Sequence, residues 1–124
     1  MQTSAKVLIA EDSLVLRERY RKIFERILVT LTLAEDGWEA LEKIKREHFH
    51  LIITDIMMPR MDGFEFTRQA RALPEYRDVP VFVVSSKKQE EDLHKAWAVG
   101  VTEYIFKPFE GDRLLSIVRH YLGL

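Results

Sequence analysis

Five short apolar runs, at residues 7–10, 29–34, 51–53, 81–84 and 104–106, recur along the chain, separated by longer stretches with apolar residues at helical spacing. The helical spacing is clearest in Leu16, Tyr20, Ile23 and Ile27, in Ala40, Leu41 and Ile44, and in Leu114, Leu115, Val118 and Leu122. A strand followed by a helix, five times over, limits the chain to an α/β architecture with a largely parallel sheet. The first, third and fourth runs are almost continuously apolar, as strands covered by helices on both faces must be. The second alternates Val29, Leu31 and Leu33 with Thr30 and Thr32, which predicts an outer strand. Punctuation agrees with this reading. Asp36-Gly37 and Asp62-Gly63 open helices, Gly100 stands where a helix C-cap belongs, and Pro80 leads into a strand. A length of 124 residues with 47% hydrophobic content is enough for one core, so a single domain over residues 1–124 is expected.

An open parallel sheet binds ligands beyond the carboxyl ends of its strands. On that edge the first strand ends in Glu11-Asp12, the third in Asp55, the fourth in Ser85-Ser86 and the fifth in Lys107-Pro108. Each has an ordinary explanation alone, since acids after strands often cap the next helix. Together on one edge they point to chemistry. Three close carboxylates either raise one another's pKa or hold a cation. Oxygen ligands without His or Cys favour Mg²⁺, which keeps several waters and commonly shares its site with a phosphoryl group. Asp55 then has the role of nucleophile toward phosphorus, Lys107 supplies a fixed cation, and the Ser85 hydroxyl reaches a phosphoryl oxygen.

Composition removes other classes. Nineteen Lys and Arg against twenty Asp and Glu give a formal charge of -1, so no net field draws the chain to nucleic acid or an anionic membrane. The absence of cysteine excludes disulfides and thiolate chemistry and fits a reducing compartment, with the cytoplasm expected. The first apolar run is too short for a signal-peptide core, and no stretch approaches a membrane span.

The segments IAEDS, IITDIMMPRMDGFE, VFVVSS and GVTEYIFKPF resemble those of the receiver domain of two-component response regulators, the chemotaxis type in particular. The resemblance implies a flavodoxin-like, doubly wound sheet of strand order 2-1-3-4-5 flanked by five helices. It implies that a histidine kinase or phosphotransfer protein, as in a phosphorelay, phosphorylates Asp55, the domain assisting its own reaction without being an enzyme. It makes Ser85 and Tyr104 the switch pair and Lys107 the conserved lysine. Mg²⁺, with Mn²⁺ able to substitute, is held by Asp12, Asp55 and the Met57 backbone carbonyl, with Glu11 acting through water. A cis bond between Lys107 and Pro108 is implied as well. The kinase or phosphotransfer domain docks near Leu14, and a downstream target or a second copy docks on the face around Tyr104.

Helical phase leaves Leu14 opposite the core face of its helix, with Arg17 and Arg21 on the same exposed side as candidate docking charges. Trp97, four residues from Leu93, is expected in the core. His94 and Lys95 are expected in solvent, and His48 and His50 are not expected to be ligands. Met57 and Lys87 occupy the two variable positions that flank the path of the hydrolytic water in this family. Neither side chain readily accepts a hydrogen bond from water, which predicts slow loss of the phosphoryl group. A haloacid-dehalogenase-type phosphatase needs a second Asp where Met57 stands, and a cofactor-binding flavodoxin-like domain needs a Gly-rich loop where Glu11-Asp12 stands. Receiver-like modules that are never phosphorylated typically lack the acceptor, acid or lysine, all present here. Whether the chain acts alone or as a receiver fragment of a larger regulator or hybrid kinase stays open.

Overall fold

The computed structural model describes residues 4–124. Five strands, β1 (Ala5–Ala10), β2 (Val29–Ala34), β3 (Leu51–Thr54), β4 (Val81–Ser85) and β5 (Glu103–Phe106), alternate with five helices. The helices are α1 (Leu14–Phe24), α2 (Gly37–Arg46), α3 (Gly63–Arg71), α4 (Glu90–Ala98) and α5 (Gly111–Leu122), with a 3-10 turn at Pro74–Tyr76. All strand pairs are parallel and the order is β2-β1-β3-β4-β5, as the family resemblance implied. The alternating strand β2 lies at an edge, as its pattern predicted.

The register brings the strand ends into line. Ala10 pairs with both Ala34 and Thr54, Thr54 with Val83, and Ser85 with Phe106. Residues next along each strand therefore emerge together on one edge.

Side-chain alternation divides the core between the two faces of the sheet. Val7, Ile9, Ile53, Phe82 and Val84 face Tyr20, Ile23, Phe24, Leu114, Leu115 and Val118 of α1 and α5. Leu8, Ala10 and Ile52 face Ala40, Leu41, Ile44, Phe66 and Ala70 of α2 and α3. A third and smaller cluster, Ile56, Val83, Ala96 and Val101, lies under α4.

The starts of α1, α2 and α3 are set by side-chain caps. Ser13 accepts from the Leu16 N–H at 3.3 Å, Asp36 from Glu39 at 2.8 Å and Asp62 from Glu65 at 2.8 Å. Gly100, just past α4, has a φ of 92°, where a side chain would be strained.

The expectation for Trp97 fails: it is 49% exposed. The inward face of α4 runs through Asp92 and Ala96, because Asp92 turns in to close a capping box with Gln89. That phase carries Trp97 out to the flank. On α1, Phe24 takes a buried place, whereas Leu16 and Ile27 are only half-buried.

Candidate functional site

Backbone hydrogen bonds carry the strand geometry one residue past the sheet. The Glu11 N–H donates to Ala34 O at 2.9 Å, Asp55 N–H to Ala10 O at 3.1 Å and Lys107 N–H to Ser85 O at 2.9 Å. Three of the predicted residues are thus fixed by the ladder itself. Glu11 is buried, and its carboxylate accepts from the Ser13 N–H at 3.0 Å. Asp55 accepts from the Ile56 N–H at 2.6 Å through one oxygen. Its other oxygen receives the Lys107 ammonium at 2.8 Å, and the same ammonium reaches Glu11 at 3.2 Å. Asp12 is exposed beside them, and carboxylate oxygens of Glu11, Asp12 and Asp55 all lie within 4.8 Å of one another.

Burial pushes the Glu11 carboxyl above its usual range, only partly offset by the Ser13 N–H and by Lys107, and the Asp55 charge adds to the rise. For Lys107, burial pulls the other way, but the hydrogen bond and charge of Asp55, followed by Glu11, leave its pKa raised. With all three acids ionised, three carboxylates against one ammonium leave a deficit of two charges. A divalent cation closes that deficit, and an all-oxygen donor set suits Mg²⁺.

Ser85, the last residue of β4, is buried, and its Oγ accepts from the Lys87 N–H at 3.1 Å. Tyr104 on β5 is half-buried, and its hydroxyl donates to the Lys87 carbonyl at 2.7 Å. Both therefore bind the same residue, a link the sequence did not disclose. The Lys107–Pro108 bond is cis. Met57 is 64% exposed, and it lines an open cleft with Asp12, Phe64, Lys87 and Lys95. Leu14, 65% exposed, stands at the first turn of α1 beside exposed Val15.

Arg17 departs from expectation. It folds inward, donates to the Glu11 carbonyl at 2.8 Å and pairs with Glu35 at 3.4 Å, so it braces the acidic loop instead of offering a docking charge. Arg21 stays exposed, 3.4 Å from Glu18. His50 accepts from the Lys6 N–H at 2.9 Å and His48 stacks on Tyr76; among the described residues, no potential metal-binding cluster includes a histidine. Arg60, passed over in the sequence, pairs with Asp36 at 2.7 Å beside the loop that follows Asp55.

A family model described as the response regulator receiver domain matches residues 7–119. The chain belongs to the response regulator receiver domain family. As a receiver it is 32% identical over 117 residues to the protein PilG of Pseudomonas aeruginosa, covering 94% of this chain and 87% of that one. It is 33% identical over 120 residues to the sensor histidine kinase CheAY of Helicobacter pylori, covering 95% of this chain but spanning only 15% of that protein. Among solved structures, the Vibrio cholerae chemotaxis protein CheY4 matches the receiver with a TM-score of 0.90 and 32% identity, covering 96% of this chain and 99% of that one. The receiver domain of a Pseudomonas aeruginosa sensor histidine kinase, described with a magnesium ion coordinated in its active site cleft, matches with a TM-score of 0.90 and 25% identity, covering 98% and 100%. No helix of the described residues is long and apolar enough to cross a membrane.

Proposed function

We propose that this receiver takes a phosphoryl group onto Asp55 from the phosphohistidine of a histidine kinase or phosphotransfer protein, and that the modification switches a partner-binding face. The observation that carries the reading is the Lys107 ammonium, which bridges Asp55 at 2.8 Å and Glu11 at 3.2 Å inside a cluster of three carboxylates. In the transfer, an Asp55 carboxylate oxygen forms the new bond to phosphorus. The phosphorus–nitrogen bond breaks, and the imidazole nitrogen keeps the electron pair. Lys107 is near enough to Asp55 to neutralise charge gathering on a phosphoryl oxygen. Asp12, Asp55 and the Met57 carbonyl, with Glu11 through water, would hold Mg²⁺, or Mn²⁺ in its place, and the ion would supply positive charge against the phosphoryl oxygens.

The switch follows from Lys87. A Ser85 hydroxyl that turns toward a phosphoryl oxygen gives up the Lys87 N–H, while the Lys87 carbonyl is what holds the Tyr104 hydroxyl. Release at one side of Lys87 loosens the other, and Tyr104 is free to repack. The donor protein docks at the Leu14 and Val15 rim, a downstream target or second copy docks on the face around Tyr104, and the domain works in the cytoplasm without binding nucleic acid. Its own chemistry is confined to assisting its phosphorylation and dephosphorylation.

Intact-mass measurement after incubation with acetyl phosphate and Mg²⁺ tests the central step. Wild type is expected to gain one phosphoryl group and Asp55→Asn none. Adducts on neither protein, or equally on both, would overturn the assignment.

A further inference from the structure

The connection from β3 to α3 contains a backbone anomaly. The Met61 N–H donates to the Pro59 carbonyl at 2.7 Å, two residues back, with Arg60 between them at a φ of 67°. A γ-turn with a positive central φ is rare and strained for a residue that carries a Cβ. Gly would take this conformation without strain, and Asn with less. Here the position is held by an arginine whose side chain is engaged away from the loop.

That side chain leaves the loop and holds the first turn of α2. Arg60 Nε donates to Asp36 Oδ2 at 2.7 Å, and its guanidinium lies over the Trp38 ring at 4.8 Å. Asp36 is a buried acid, its side chain 6% exposed, and its other oxygen caps α2 through the Glu39 N–H at 2.8 Å. The Arg60 guanidinium and the Glu39 and Trp38 N–H groups outweigh burial and hold the Asp36 carboxyl below its usual range. The backbone docks at the same place. Gly37 N–H donates to the Met61 carbonyl at 3.1 Å, and a Cβ on Gly37 would stand 2.4 Å from that oxygen.

The loop is also pinned at both ends. Ile56 N–H donates to the Asp55 carboxylate at 2.6 Å, and Gly63 N–H donates to the Ile56 carbonyl at 2.7 Å. The backbone of Met57, Met58 and Pro59 is the span left between the pinned start and the pinned apex. We propose that Arg60 is a positioning residue: its tether to Asp36 holds the apex of the loop on α2 and thereby sets the Met57 carbonyl against the acidic cluster for Mg²⁺. This rests on the reading of Asp12, Asp55 and Met57 as the metal-holding set.

Calorimetric Mg²⁺ titration of wild type, Arg60→Gly, Asp36→Asn and the double variant tests it without any phosphoryl transfer. Arg60→Gly relieves the strained φ while cutting the tether, and Asp36→Asn keeps an equally good helix cap while removing the charge. Each single variant is expected to bind Mg²⁺ about ten-fold more weakly, the scale of lost outer-sphere support. The double variant is expected to lose no more than either single one, because both cut the same tether. Melting in EDTA verifies that the variants are folded. Wild-type affinity in Arg60→Gly, or losses that add in the double variant, would overturn the role of Arg60. Failure of wild type to bind Mg²⁺ would instead overturn the reading of the whole site, and this inference with it.

Discussion

Glu11 shows how a residue can serve a site at the expense of the fold. Its carboxyl is raised above the usual range mainly by burial, so between the unfolded and folded pKa values the folded chain holds more protons than the unfolded one. Stability contributed by Glu11 is then present at low pH and is lost as pH rises through that window. Without metal, Glu11→Gln is expected to melt higher than wild type above the folded pKa. The gap should close once pH falls below the ordinary Glu range, as thermal melts in EDTA across pH would show. Met57 and Lys87 bear on the lifetime of the product. A thioether and an ammonium flank the cleft, and neither readily accepts a hydrogen bond to orient water. Met57→Asn and Lys87→Glu are each expected to shorten the phosphoryl half-life several-fold, because each new side chain brings an oxygen that accepts a hydrogen bond from the attacking water. Following decay by intact mass checks this, and a wild type faster than both variants would refute it.

Single elements are held to the site by close backbone approach as much as by side-chain packing. A Cβ on Gly63 would stand 2.0 Å from the Asp55 carbonyl, so α3 can start where it does only with glycine there. Gly63→Ala is expected to lower stability by about 3 kcal/mol, at the upper end for overpacking, and to slow phosphorylation by shifting Asp55; urea denaturation measures the first effect. Elements of this kind were readable in the sequence because Asp-Gly pairs and apolar runs act locally. β2 was placed at an edge by its Thr alternation alone. The phase of α4 was not readable. Leu93 and Trp97 share a flank by spacing, but Asp92 turns inward despite its polarity, and the helix phase that follows leaves Trp97 exposed. The same limit applies within the site. Residue types at the strand ends announced Glu11, Asp12, Asp55, Ser85 and Lys107, whereas the Arg60 to Asp36 tether joins residues 24 apart whose local sequences give no sign of each other. Arg17 was misread for that reason too, since only the fold shows that the Glu11 carbonyl lies within its reach.

At the scale of the whole molecule, the acidic cluster is expected to link folding to the ion. Mg²⁺ at 100 times its Kd is expected to stabilise the fold by about 2.7 kcal/mol, seen as a higher melting temperature, and Asp12→Ala should abolish most of that gain. An equal Mg²⁺ response in both proteins would remove Asp12 from the site. The sheet does not grip all its helices equally. Helices α1 and α5 bury Tyr20, Ile23, Phe24, Leu114, Leu115 and Val118 against it, whereas the nine residues of α4 bury only Asp92 and Ala96. In hydrogen–deuterium exchange this imbalance becomes a clock. The amides of α4 should open and exchange long before those of β1 or β3, so that the helix beside Tyr104 loosens on its own while the strands leading into Glu11 and Asp55 stay closed.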